Sequence, residues 1–347
     1  MTAFAADALV AETVDRLLLD LCSPDVVEHA EAEGWAPDLW NAFSESGFPW
    51  VSVPDTAGGS GGTLGDAAAI LHAIGRYAAP VPVAETGMLA GWLLAGAGLP
   101  IPAGAATVVP DASLTIEGGR IVGSSTVAWA ARSEQVVALV ADGSAWKVVA
   151  IPTSLLAITP GANLAGEPRD LVQFDVALGD LAFASAGDGV DADALLQRGA
   201  LSRVIMSAGA LRALTQVTID YTNERKQFGK TIAGFQAVQQ FLVNTAQCAV
   251  RVNMAAEVAT RALAGGNPGI TIAAAKVLTD AAVAEGTRAA HQAHGAMGVT
   301  REYPLHQLSR RLWAWRHDYG TATMWRRRLG TTAHQAGADS LFQLVTG

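Results

Sequence analysis

The chain has 347 residues, 50% of them apolar and only 16% charged, which allows two or three domains with substantial cores. A net charge of −9 argues against a nucleic-acid footprint, and two cysteines without a Cys-x-x-Cys pair suggest neither a disulfide framework nor a thiolate metal site. No basic stretch opens the chain as a secretory signal would, and Pro100 and Pro102 interrupt the uncharged run from Gly87 to Pro110, so a cytoplasmic protein that does not cross a membrane is expected.

Residues 1–102 read as helical. Val10, Val14, Leu17, Leu18 and Leu21 form the stripe of an amphipathic helix, and Leu39 to Phe43 form a short helix closed by Gly47. The run Gly58-Gly-Ser-Gly-Gly62 lacks the lysine and hydroxyl residue of a phosphate-binding loop and reads as a turn before a helix starting near Thr63. Residues 103–187 change period. Short β-branched runs (Ala106–Val109, Leu114–Ile116, Arg120–Val122, Gln135–Val140, Trp146–Ile151, Leu171–Val176) alternate with turns at Gly118-Gly119, Asp142-Gly143 and Pro160-Gly161. Residues 188–347 return to long helical stretches. Leu201, Val204, Ile205, Ala208 and Leu211 keep one face apolar, and the segment from Phe235 to Leu263 is apolar on most sides. Gly265 to Gly269 breaks the pattern, a helix follows from about Thr271 to Met297, and two more follow Tyr303-Pro304. The expected fold is mostly α with a β domain: an N-terminal helical domain, a middle β-barrel-like domain and a C-terminal four-helix bundle.

Chemistry concentrates in two stretches. In the first, residues 221–236, one helix ends and another begins, and Arg225, Lys226, Phe228 and Gln236 combine an anion seat with an apolar neighbour. The second is Gln292-Ala-His-Gly295-Ala-Met-Gly298 followed by Glu302-Tyr-Pro, where glycine lets a ligand approach the backbone and glutamine offers donor and acceptor. A di-iron bundle would need paired Glu-x-x-His, which does not occur, and His291 and His294 have no carboxylate in register, so no metal site is expected. Trp313, Trp315 and Trp325 read as core or interface aromatics.

The Arg225-x-x-Phe-Gly-Lys core with Phe235-Gln236-x-x-Gln, and Gln292-x-x-Gly-Ala-x-Gly with Ala296 in place of a second glycine, resemble the signatures of the acyl-CoA dehydrogenases. The resemblance is dense from about 199 to 323 and implies the same α–β–α architecture, with FAD as cofactor. It implies that Arg225 pairs with pyrophosphate, that Phe228 packs on the flavin side, and that Gln236, Gln292 and Gly295 line the adenosine. Gln227, Phe235 and Thr321 join that cofactor set, and Arg203 and Gly320 are the expected substrate contacts. In the family these motifs reach the FAD of a neighbouring subunit.

The reaction implied is α,β-dehydrogenation of an acyl-CoA thioester to the 2,3-enoyl-CoA, with electrons passed to an electron-transfer flavoprotein. It needs a base for the α-proton, and the family's two glutamate seats fall here on Tyr319 and Ser202, with Asp318 the adjacent acid. The segment that holds the flavin ring in the family is missing between Ala105 and Ile116, and Trp129 lies near the position of a flavin-packing tryptophan. The resemblance therefore implies a partner subunit of a heteromeric, tetrameric enzyme of lipid or steroid catabolism, completing the FAD site of a glutamate-bearing chain. A self-sufficient homo-oligomer with Asp318 as base, and a scaffold without flavin, are the alternatives.

Overall fold

The computed structural model describes residues 3–337 and residue 339. Four helices open the chain: α1 (Ala8–Leu21), α2 (Pro24–Glu33), α3 (Pro37–Glu45) and α4 (Leu64–Tyr77). Their ends are set by local chemistry. Asp7 caps α1 through Leu9 N–H, Ser23 and Pro24 start α2, and Thr63 and Asp66 form a reciprocal capping box at α4. A π-helical segment, Ala84–Gly91, then runs into α5 (Trp92–Gly96) and is buried throughout.

The middle layer is a sandwich of two four-stranded sheets. One has the order β1 (Ala106–Val108), β4 (Gln135–Asp142), β5 (Ala145–Pro152), β8 (Ala182–Ser185). The other has the order β2 (Thr115–Glu117), β3 (Arg120–Ala128), β7 (Arg169–Ala177), β6 (Ala157–Thr159). Val127, Val136, Val149, Val172 and Phe174 fill the space between them. The outer face of the first sheet packs Val137, Leu139 and Val148 against Leu89, Leu93 and Leu94. Both faces of β4 are therefore covered, which is why its sequence is an unbroken apolar run rather than an alternation.

The C-terminal part is helical. The 33-residue α6 (Ala192–Glu224) is its axis, followed by a small hairpin of β9 (Lys226–Gln227) and β10 (Lys230–Thr231). Then come α7 (Gln236–Ala264), α8 (Thr271–His294), α9 (Leu305–Trp315) and α10 (Ala322–Ala336). Helices α4 and α6 cross closely because glycine stands at the contact on both: a Cβ at Gly75 would lie 1.9 Å from Met206 O, and one at Gly209 1.9 Å from His72 O. Trp315 and Trp325 are buried in this layer, whereas Trp313 is exposed.

Three expectations need correction. A two-stranded hairpin rather than a bare break separates α6 from the second long helix, which starts at Gln236, where the sequence places it. Helix α8 ends at His294, and the glycine motif continues as a 3-10 turn, Gly295–Val299. Helix α7 buries only one face, with Thr245, Cys248, Val252, Ala256 and Ala259. On the opposite side Val243, Val250, Met254 and Val258 are 46–63% exposed.

Candidate active site and nucleotide-contact surface

The expected site residues fall into two separate groups. The inner group lines a cavity of about 240 Å³ where β1, β3 and β7 meet α6 and the loop between α9 and α10. Its walls are Val108, Pro110, Thr126, Ala128, Arg169, Arg203, His317, Asp318 and Tyr319.

The charged side of this cavity is fully paired. Arg203 Nη2 donates to Glu85 Oε1 at 2.5 Å, and its Nε donates to Asp318 Oδ2 at 2.9 Å. Arg169 Nη2 donates to that same Asp318 oxygen at 2.7 Å. The pairing continues from Arg169 to Glu167 (3.7 Å), from Glu167 to Arg311 (3.8 Å), and from Arg311 to Glu31 (2.6 Å), which also binds Arg310. Trp315 Nε1 donates to Glu167 Oε2 at 2.9 Å. Four acids and four arginines thus alternate in one seam through the N-terminal helices, the sandwich and the bundle.

Electrostatics follow from that geometry. Burial alone would raise the Asp318 carboxyl, but Arg169 and Arg203 outweigh it and bring its pKa to about 2. A carboxylate held there is a very weak proton acceptor. Burial pushes the Tyr319 phenol well above its usual value, so it stays protonated, and its ring fills the space beside Gly199. Ser202 Oγ donates to Gly199 O at 2.7 Å, so the second seat's hydroxyl is spent on its own helix. Gly320 follows Tyr319 at φ 97° beside Met324 and Trp325. Thr321 caps α10, its hydroxyl accepting from Met324 N–H. Trp129 does not face the cavity: it packs edge-on against Trp35, ring centroids 6.1 Å apart, on the N-terminal helices.

The outer group sits at the far end of α6. Arg225 caps that helix and is exposed, and the adjoining hairpin turns through Phe228 and Gly229. Both have positive φ (52° and 81°), the geometry of a type I′ turn. Phe228 is 92% exposed at the tip, its ring edge-on to Phe235 at 6.1 Å, while Lys230 Nζ lies over Phe235 at 4.3 Å. Gln227 and Gln236 are exposed on the same segment, and Gln292 and Gly295 are exposed at the end of α8. An exposed phenylalanine in a left-handed turn is costly twice over, in hydration and in backbone strain.

The two groups cannot serve one small ligand. Arg203 stands on α6 and Arg225 caps it, and the 22 residue steps from one to the other span about 33 Å at 1.5 Å per residue. Sequence reasoning named members of both groups. It missed Glu85, Arg169 and Glu167, whose contacts with Arg203, Asp318 and Trp315 span more than a hundred residues and carry no local motif.

Comparison with known proteins is consistent with this arrangement. The acyl-CoA dehydrogenase N-terminal domain matches residues 5–100, and the acyl-CoA dehydrogenase C-terminal domain matches residues 187–333. The acyl-CoA dehydrogenase FadE34 of Mycobacterium tuberculosis is 28% identical over 89% of this chain, which spans 44% of that protein's length. The acyl-CoA dehydrogenase IpdE2 of Mycolicibacterium smegmatis is 27% identical over 86% of this chain and 89% of that protein. Among solved structures, a chain of the ChsE4–ChsE5 complex from M. tuberculosis superposes with a TM-score of 0.87 at 22% identity, covering 97% of this chain and 100% of that one. Butyryl-CoA dehydrogenase from Megasphaera elsdenii gives 0.81 at 16% identity, covering 94% and 98%. With both family domains in their order on either side of a β-sandwich, the chain belongs to the FAD-dependent acyl-CoA dehydrogenase family.

Proposed function

We propose that this chain is the supporting subunit of a heteromeric acyl-CoA dehydrogenase, lending part of an FAD site to a glutamate-bearing partner chain. The observation that carries the reading is the closed pairing of Arg203 and Arg169 with Asp318 on the wall of the inner cavity, beside Tyr319. The space left, about 240 Å³, is below the roughly 300–1,000 Å³ usual for small-molecule sites and is walled by ion pairs. It is small for a flavin ring stacked on a thioester. The reading with Asp318 as base is disfavoured on the same ground, because that carboxylate is already the acceptor for two arginines.

The outer group does fit a nucleotide. Arg225 offers a guanidinium for two parallel bonds to pyrophosphate, Gln236 and Gln292 offer amides to the adenosine, and Phe228 offers an apolar edge. Bound FAD supplies the hydride acceptor for oxidising an acyl-CoA to the enoyl-CoA, while this chain's residues anchor and orient it. All these groups point away from the chain's own core, as residues serving a neighbour must. The apolar stripe of α7 from Val243 to Val258 begins two turns beyond Gln236 on the same helix face and supplies contact area for that neighbour. A tetramer of two such pairs, an acyl group of steroid or lipid origin, and an electron-transfer flavoprotein as electron acceptor belong to the same proposal. FadE34, IpdE2 and the ChsE4–ChsE5 complex support it by likeness.

Purification of the chain alone and with a co-expressed glutamate-bearing partner tests the reading. Flavin absorbance and enoyl-CoA formation are expected only from the pair. Flavin and activity in the lone chain, or in neither sample, would overturn it.

A further inference from the structure

Where the last turn of α6 meets the last turn of α8, three rings close a box. Tyr221 stacks on His294 with centroids 4.4 Å apart and planes 17° apart. Tyr303 closes the third side, 5.3 Å from Tyr221 and 5.2 Å from His294. The Tyr221 hydroxyl donates to His294 O at 3.3 Å, and the Tyr303 hydroxyl donates to Val217 O at 3.4 Å, so the box is tied to both helices. His294 Nδ1 lies 2.8 Å from Ala290 O. A carbonyl only accepts, so the proton sits on Nδ1 and Nε2 is bare. That Nε2 is buried with no hydrogen-bond partner. The ring is therefore held in place by its Nδ1 bond and its aromatic neighbours. A Cβ at Gly298 would come within 2.9 Å of His294 Cβ, so only glycine lets the 3-10 turn fold this tightly over the box.

The box has Arg225, the cap of α6, one turn beyond Tyr221, and His294 stands between Gln292 on α8 and Gly295 at the start of the 3-10 turn. Helix ends are where chains fray, yet here two of them must hold ligand groups at a fixed separation. We infer that Tyr221, His294 and Tyr303 are positioning residues that set the spacing between the pyrophosphate-facing arginine and the adenosine-facing glutamine. The inference rests on the proposed role of the outer group as half of an FAD site.

The test measures flavin release from the co-expressed complex by the rise in flavin fluorescence on dilution, beside thermal unfolding of this chain alone. Arg225→Ala and His294→Ala are each expected to speed release about tenfold or more. If His294 acts through the arginine, the double variant releases flavin no faster than Arg225→Ala alone; a role in folding only would make the two effects add. Parent-like release from Arg225→Ala overturns the functional reading. Fast release from Arg225→Ala with parent-like release from His294→Ala, or additive effects, overturns the positioning inference alone. Should His294→Ala not fold, Tyr303→Leu takes its place with the same expected results and the same overturning ones.

Discussion

Arg203 and Asp318 lie 115 residues apart in the chain and 2.9 Å apart in space. Arg203 is 3% exposed, and its other arm is spent on Glu85, so Asp318 acts as counter-ion to a buried cation. Removing one partner of such a pair leaves a charge stranded. Asp318→Ala is expected to destabilise the chain by about 3–5 kcal/mol in denaturant unfolding. A residue serving only as base would lose turnover with little change in stability.

The same carboxylate gives an acid-side signature. Its folded pKa, brought to about 2 by the two arginines against the opposing effect of burial, lies below its ordinary 3.8. The stabilisation is therefore complete above the ordinary value and is lost as pH falls toward 2. His72 acts earlier. Burial, helped by Arg212 and Arg76, lowers its pKa from 6.5 to about 4. Between those values the unfolded chain takes up a proton that the folded chain refuses, so stability falls as pH drops through that window. His72→Gln should flatten the slope between pH 6.5 and 4, as read by urea midpoints at several pH values.

Tyr319 and Gly199 make a steric pair. A Cβ at Gly199 would lie 2.1 Å from Tyr319 Cδ1. Gly199→Ala is expected to cost about 1–3 kcal/mol by overpacking, and Tyr319→Ala in the same chain to relieve most of that cost. A double-mutant cycle of unfolding free energies reads the coupling directly.

Phe228 trades stability for contact. At φ 52° the left-handed backbone costs roughly 1–2 kcal/mol for a side chain of its kind. Asn favours this turn position, so Phe228→Asn should raise the stability of the lone chain by about 0.5–1 kcal/mol. In the complex it should weaken flavin retention. Calorimetry on the lone chain and flavin content of the pair would show opposite signs.

How much of this was legible in the sequence depended on the range of the interaction. The helix stripes, the β-branched runs and the two outer motifs are local, and each reads from neighbours a few residues away. Strands β6 and β8 were not read from the sequence. The Phe228-Gly229 turn lacks the Asn-Gly or Asp-Gly pair that announces a type I′ hairpin, so it read as a break. Asp318 was noticed for its proximity to the usual base position. Its two arginine partners became visible only when β7 and α6 were brought together in space.

The alternating seam from Glu85 to Arg310 bears on how the molecule comes apart. The N-terminal helices and the sandwich each pair charged groups with the bundle, so peeling either of them from the bundle strands charge on both sides of the break. Sandwich and helices should accordingly melt together in a single sharp transition, with no half-open species accumulating along the way.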